Sequence, residues 1–181
     1  MLVVFTGNGK GKTTAALGAA VRAVGRGQRV LMVQFIKGPW PSGEDFSTKL
    51  LADGPVSASE IGKGGLTFKK MGLGFVGILG DQLPREEHEK AAQKTLEFVE
   101  QELENYDMVI LDEVNVAVSL KLVGVEEVLR VADLVPETKL LVMTGRGAPQ
   151  EFLDRADLAT EMKELKHPFN DGRLGKMNIE F

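Results

Sequence analysis

The chain has 181 residues, enough for one domain with a substantial buried core, and its 43% hydrophobic and 27% charged residues are those of an ordinary globular protein. A formal net charge of −4 argues against nucleic acid as a partner, because such affinity rests on a basic face. The absence of cysteine excludes disulfides, thiolate catalysis and zinc ribbons, and with neither a secretory signal nor an apolar run near the roughly 20 residues of a membrane span, the expectation is a cytoplasmic protein.

Leu2-Val3-Val4-Phe5 is a short apolar run that reads as a strand. It leads into Thr6-Gly7-Asn8-Gly9-Lys10-Gly11-Lys12-Thr13-Thr14, and an Ala-rich segment with helical spacing follows from Ala15 to Val24. Strand, glycine loop and helix in succession are the setting of a phosphate-binding loop. The glycines let the backbone turn tightly enough for successive N–H groups to converge on one anion. The helix adds its first unpaired N–H groups, equivalent to about half a positive charge, at the same spot. Lys12 then reaches the terminal phosphates of a nucleoside triphosphate, and the Thr13 hydroxyl ligates Mg²⁺. The usual pattern G-x-x-x-x-G-K-[ST] has Gly where this chain has Thr6.

In the first helix Leu17, Val21 and Val24 share a face among small residues that allow close approach to a sheet, and Gly25 or Gly27 ends it. Arg29 to Ile36 is almost continuously apolar, as a parallel strand covered on both faces requires. Lys37 to Gly43 holds two prolines and two glycines and is irregular. Residues 44 to 83 offer two short candidate strands, Val56–Ile61 and Leu66–Lys69, among many glycines. Pro84 to Tyr106 is the clearest helix, with Ala92, Leu96, Val99, Leu103 and Tyr106 on one stripe. His88 extends that stripe and is expected to be a helix-edge residue, not a catalytic one.

Met108 to Leu111 is a buried strand delivering Asp112 and Glu113 at its carboxyl end. A short helical stretch and an amphipathic helix marked by Val125, Val128, Leu129 and Ala132 come next. Lys139 to Met143 is a further strand, ending in Thr144-Gly145-Arg146-Gly147. A helix from Pro149 to Ala156 precedes a strand expected at Leu158–Leu165. Strands alternating with helices predict an α/β fold: a P-loop NTPase (RecA-like) three-layer sandwich with a mostly parallel central sheet, one domain over residues 1–181. Ligands on such sheets bind outside the carboxyl ends of the strands, where the loops at 7–14, 112–115 and 144–147 converge.

Coupled to the glycine loop, Asp112 and Glu113 match the acidic motif that holds Mg²⁺, which prefers oxygen ligands. Arg146 and Lys10 either contact phosphate or ribose or sit on turns. No histidine stands as a general base and nothing marks an ordinary phosphoryl acceptor. The residues alone define an ATP-binding P-loop enzyme of open reaction.

The motifs TGNGKGKTTAALG (6–18), VQFIKG (33–38) with WPSGE (40–44), VILDE (109–113), TGRGAP (144–149), AD-x-x-TEM (156–162), KHPF (166–169) and the final IEF together resemble the P-loop ATP:corrinoid adenosyltransferases. They run in family order from residue 6 to residue 181, and Thr at the first loop position is a habit of that family. The resemblance implies transfer of the 5′-deoxyadenosyl group of Mg-ATP to a reduced corrinoid, with release of triphosphate. The reduced cobalt is itself the nucleophile, so no catalytic base is needed. By the same resemblance Gly7 to Thr14 cradle the phosphates, Lys12 neutralises them, and Thr13 with Glu113, more than Asp112, fixes the metal. Phe75 packs against the corrinoid. A homodimer and a flavoprotein reductant are implied as well.

The family often carries an N-terminal extension, whereas this chain opens on the first strand. Of the family's G-F-x-W, Gly74-Phe75-Val76-Gly77 keeps the Phe and lacks the Trp; Trp40 belongs to another motif. Two other functions fit the same residues: a P-loop ATPase with Glu113 positioning water, and a nucleotide- or corrinoid-binding protein without turnover. A thymidine-kinase-like enzyme is disfavoured by the missing cysteines.

Overall fold

The computed structural model describes residues 1–38, 40–49, 64–78 and 80–172. Among these residues six strands form one sheet: β1 (Leu2–Thr6), β2 (Arg29–Gln34), β3 (Gly65–Lys70), β4 (Met108–Asp112), β5 (Leu140–Thr144) and β6 (Leu158–Glu161). All pairings are parallel, in the order β3-β2-β4-β5-β1-β6. The helices are α1 (Lys12–Gly25), α2 (Glu44–Ser47), α3 (Arg85–Glu102), α4 (Val114–Ser119), α5 (Val125–Asp133) and α6 (Gln150–Arg155). None of the described helices is long and apolar enough to cross a membrane.

Side chains alternate across a strand, so each apolar strand feeds two cores. Val3, Val30, Met32, Met108, Ile110 and Val142 turn to one face, where α1 covers them with Ala16, Ala20, Ala23 and Val24. Leu31, Val33, Val109, Leu111, Leu141 and Met143 turn to the other, under Ala92, Leu96, Val99, Val114, Val128 and Phe152 of α3 to α6. Three layers result, and small residues on α1 let that helix lie close behind the loop it must serve.

The ends of the elements differ from the sequence expectation in instructive ways. Helix α1 starts at Lys12, not Ala15, because Gly11 in a left-handed conformation (φ 109°) turns the chain straight into it. Pro84 precedes α3, which gives way at Leu103–Asn105 to a tighter 3₁₀ turn. Strand β6 stops at Glu161 and does not run on to Leu165. Its partner is β1, whose last pair is Thr6 with Glu161, so beyond that point no described strand remains to pair with. Leu66–Lys69 lies within β3, and α2 follows the irregular stretch. The candidate strand Val56–Ile61 and the final IEF lie outside the described residues.

Candidate active site

The glycine loop leaves β1 and enters α1 through two left-handed glycines, Gly7 (φ +95°) and Gly11 (φ +109°). Close approach is the second reason for glycine here. A Cβ on Gly7 or Gly9 would lie 2.5 or 2.7 Å from the Met162 carbonyl oxygen. That carbonyl accepts the Gly9 N–H at 2.6 Å, while the Met162 N–H donates to the Thr6 carbonyl at 2.8 Å. The chain after β6 is thereby sewn to the loop. Inside it, the Lys12 ammonium donates to the carbonyls of Gly7 (2.8 Å) and Gly9 (2.7 Å). Burial and the neighbouring charges of Arg146 and Lys10 hold the Lys12 pKa below that of an ordinary lysine, against the pull of Glu113 and Asp112. Lys10, Lys12 and Arg146 therefore make one positive field, which an arriving triphosphate would neutralise. Asn8, Lys10, Thr14 and Arg146 are exposed at its rim.

Strand β5 stands between β1 and β4, so the loop and the acidic strand end face each other across about 10 Å of sheet. Thr144, the last residue of β5, spans the gap. Its hydroxyl donates to Asp112 Oδ1 at 2.6 Å and accepts the Glu113 N–H at 3.0 Å. From α1 the Thr13 hydroxyl donates to the same Asp112 oxygen at 2.8 Å. From β2 the Gln34 amide donates to Asp112 Oδ2 at 2.8 Å. Asp112, Thr144 and Gln34 are all fully buried. Glu113 adopts a left-handed backbone (φ 61°), which turns the chain from β4 into α4. Its carboxyl pKa is raised by burial and then by the Asp112 charge, while Lys37, Lys12 and Arg146 pull it down.

Of the residues expected to hold a metal, the structure brings Thr13 directly onto Asp112 and leaves Glu113 beside them. Among the described residues no cluster of three or more His, Cys, Asp or Glu side chains gathers. Mg²⁺ asks for less: one or two carboxylates, with water and phosphate completing the shell. Two observations fit such an ion. Burial and then the Asp112 charge raise the cost of ionising Glu113, which a divalent cation relieves. Gln34 Oε1 is buried with no hydrogen-bond partner, an acceptor suited to an ion-bound water.

Gln34, Lys37, Asn115 and Thr144 escaped the sequence reading as site residues. Gln34 had a signal, being the polar residue within the apolar run RVLMVQFI. Asn115, fully buried, donates to the Gly145 carbonyl at 3.1 Å and so ties α4 to the TGRG loop. Nothing local announces that role. The Thr6 hydroxyl has a related task, accepting the Ala148 N–H at 3.1 Å.

Phe75 lies on the loop between β3 and α3, whose first residues pair with the end of β2. Gly72 N–H donates to the Gln34 carbonyl at 3.1 Å and Gly74 N–H to that of Ile36 at 2.9 Å. This holds Phe75 at the carboxyl edge of the sheet. Its ring meets Trp40 with centroids 5.8 Å apart and planes tilted by 32°. Trp40 remains 58% and Phe75 45% exposed, so the pair is not part of the core. The tryptophan of a different motif thus comes to stand beside the Phe.

A parallel sheet, a left-handed glycine loop opening a helix, and an acidic strand end one strand away define a P-loop NTPase-like sandwich. Residues 1–181 match the family described as ATP:corrinoid adenosyltransferase BtuR/CobO/CobP. The chain is 36% identical over 183 residues to the corrinoid adenosyltransferase of Escherichia coli (strain K12), covering all of this chain and 85% of that protein. Corrinoid adenosyltransferase CobA of Salmonella typhimurium gives the same identity, over all of this chain and 85% of its own length. The corrinoid adenosyltransferase of Pseudomonas aeruginosa is 32% identical, with all of this chain and 83% of that protein aligned. The chain belongs to the ATP:corrinoid adenosyltransferase family.

Proposed function

We propose that the protein transfers the 5′-deoxyadenosyl group of ATP to the reduced cobalt of a corrinoid and releases inorganic triphosphate. One observation carries the reading beyond family membership. The triphosphate cradle and an exposed aromatic pair lie along the same carboxyl edge, the first at β1 and β4 and the second on the loops after β2 and β3.

In the reaction the cobalt electron pair attacks C5′, the C5′–O bond breaks, and triphosphate leaves with that bond's electrons. No proton moves at the reacting carbon, so the protein's work is positioning and electrostatics. Lys12, assisted by Lys10 and Arg146, stabilises charge growing on the leaving triphosphate. The loop N–H groups other than that of Gly9, which the Met162 carbonyl engages, orient it together with the first N–H groups of α1. Thr13, Asp112 and Glu113 would hold Mg²⁺, which supplies further charge neutralisation at the phosphates. Thr144 and Gln34 keep the Asp112 carboxylate aimed. Phe75 and Trp40 offer flat apolar surface to the macrocycle. The reading extends to a cytoplasmic homodimer served by a flavoprotein reductant, on the support of the family resemblance.

Phosphorus NMR on ATP, Mg²⁺ and protein, with and without chemically reduced corrinoid, tests the reaction. The expected result is triphosphate in step with a light-sensitive alkylated corrinoid, only when corrinoid is present. ADP and phosphate at equal rates in both samples would identify an ATPase and refute the proposal.

A further inference from the structure

We propose that Asp81 and His88 are positioning residues, which clamp the loop bearing Phe75 so that the Phe75–Trp40 pair is preassembled for a flat corrinoid. The inference rests on the transferase reading for the ligand, and on the geometry of the loop for the clamp.

Among its described residues, the loop between β3 and α3 has few fixed points. Gly77 (φ +69°) and Gly80 (φ +84°) are left-handed, and a Cβ on either would meet nothing within 4 Å. Ile78 is 58% exposed. The first part is tied to β2 through Met71, Gly72 and Gly74. The second part is gathered by one carboxylate. Asp81 Oδ2 accepts the Gly77 N–H at 2.8 Å and the His88 Nε2–H at 3.1 Å. Asp81 Oδ1 accepts the Leu83 N–H at 3.0 Å. Those amide N–H groups of Gly77 and Leu83, and then His88, keep the carboxyl below the usual aspartate range, so it stays an acceptor.

His88 is the fixed end of this arrangement. Its side chain is 2% exposed, on the helix that Ala92, Leu96 and Val99 pack into the core. Phe75 therefore lies between two anchored points, the β2 pairing on one side and the Asp81–His88 contact on the other.

The Trp40 side is anchored independently. The Lys70 ammonium donates to the Trp40 carbonyl at 2.8 Å and to Asp45 at 2.5 Å. The indole closes over Gly74, where a Cβ would come within 2.8 Å of the ring. Ordering a glycine-rich loop costs more conformational free energy than contact between two half-exposed rings returns. The scaffolding is thus out of proportion to what the pair does for the fold. Its effect is that the aromatic surface is ready before a ligand arrives, so binding need not order it.

Trp40 is the chain's single tryptophan, so its fluorescence reports the pair directly. Acrylamide quenching of Trp40 and steady-state kinetics with reduced corrinoid are compared for Asp81→Ala, His88→Ala and His88→Gln. Thermal melting and ATP affinity are followed alongside. Loss of the clamp should raise the quenching constant about twofold and the corrinoid KM about tenfold, the size expected when roughly one ordering step returns to the binding event. The kcat and ATP affinity should stay within about twofold of the parent, a split that general destabilisation would not produce. His88→Gln, which keeps an N–H donor, should recover most of both effects.

Unchanged Trp40 quenching in Asp81→Ala would overturn the clamp. Greater quenching with unchanged corrinoid KM would overturn its role in corrinoid binding. Failure of the transferase reading is distinguishable, since the unaltered protein would then form no triphosphate. The corrinoid role falls in that case, whatever the quenching shows.

Discussion

Replacing Thr144 by Val removes one hydroxyl at the junction of three strands while preserving side-chain shape and strand preference. The structure sets the size of the effect. Thr144 is fully buried, so water cannot substitute for the lost group. Its bond to the Asp112 carboxylate is of the charge-assisted kind, contributing about 1.5–3 kcal/mol. The Glu113 N–H loses its acceptor as well, at a further cost of about 1–3 kcal/mol. Thr13 and Gln34 still hold Asp112 and the new methyl recovers some apolar contact, so a net loss of roughly 3 kcal/mol is expected. At about 3 °C per kcal/mol for a chain of this size, melting should fall by roughly 9 °C. Thr144→Ser, which keeps the hydroxyl, should lose less than half as much. Calorimetric titration should show ATP affinity weakened more in the presence of Mg²⁺ than in its absence, because Thr144 holds both the Asp112 carboxylate and the backbone of Glu113, the residue proposed to carry most of the metal role. Melting within about 2 °C of the parent would refute the bridging role given to Thr144.

Lys12→Ala should lower turnover by about 10²–10³-fold, the usual effect of losing one preorganised charge-stabilising group. Its melting temperature should hardly move, since among the described residues Lys12 bonds to carbonyls of its own loop; retention of more than about a tenth of parent turnover would remove Lys12 from the mechanism. Glu113→Gln is expected to abolish the Mg²⁺ dependence of ATP binding, measured by titration with and without the ion, while Asp112→Asn destabilises the fold more because three side chains converge on that carboxylate. The opposite ranking would transfer the metal role to Asp112. Gly18→Ala, on α1 with nothing within 4 Å of its Cβ, should raise melting by roughly 2–3 °C through helix propensity. Gly7→Ala should abolish ATP binding in the same titration, because its Cβ would press on the Met162 carbonyl.

The sequence by itself determined the phosphate loop, the helices around it and the class of sheet. Each of these is a local matter. Glycine at Gly7 and Gly11 permits left-handed backbone, the runs at Val30–Val33 and Val109–Leu111 need burial on both faces, and an Asp-Glu pair after an apolar strand must emerge at its end. Family resemblance added the chemistry, but no neighbourhood beyond the motifs. Strand order is the first thing only the tertiary structure decided. Nothing in residues 140–144 says that β5 will lie between β1 and β4, yet that placement turns Thr144 into the bridge between cradle and carboxylate. The end of β6 was decided the same way. Residues 162–165 remain compatible with a strand, but β1 has by then bent into the glycine loop, and Met162 folds over it instead. The meeting of Trp40 with Phe75, and of Asp81 with a histidine that looks like a plain helix-edge residue, likewise joins segments of different periodicity. Hydrophobic pattern specifies which face of an element is buried; which distant side chain arrives against it is set by pairing free energies across the whole sheet, and these have no signature within any one segment.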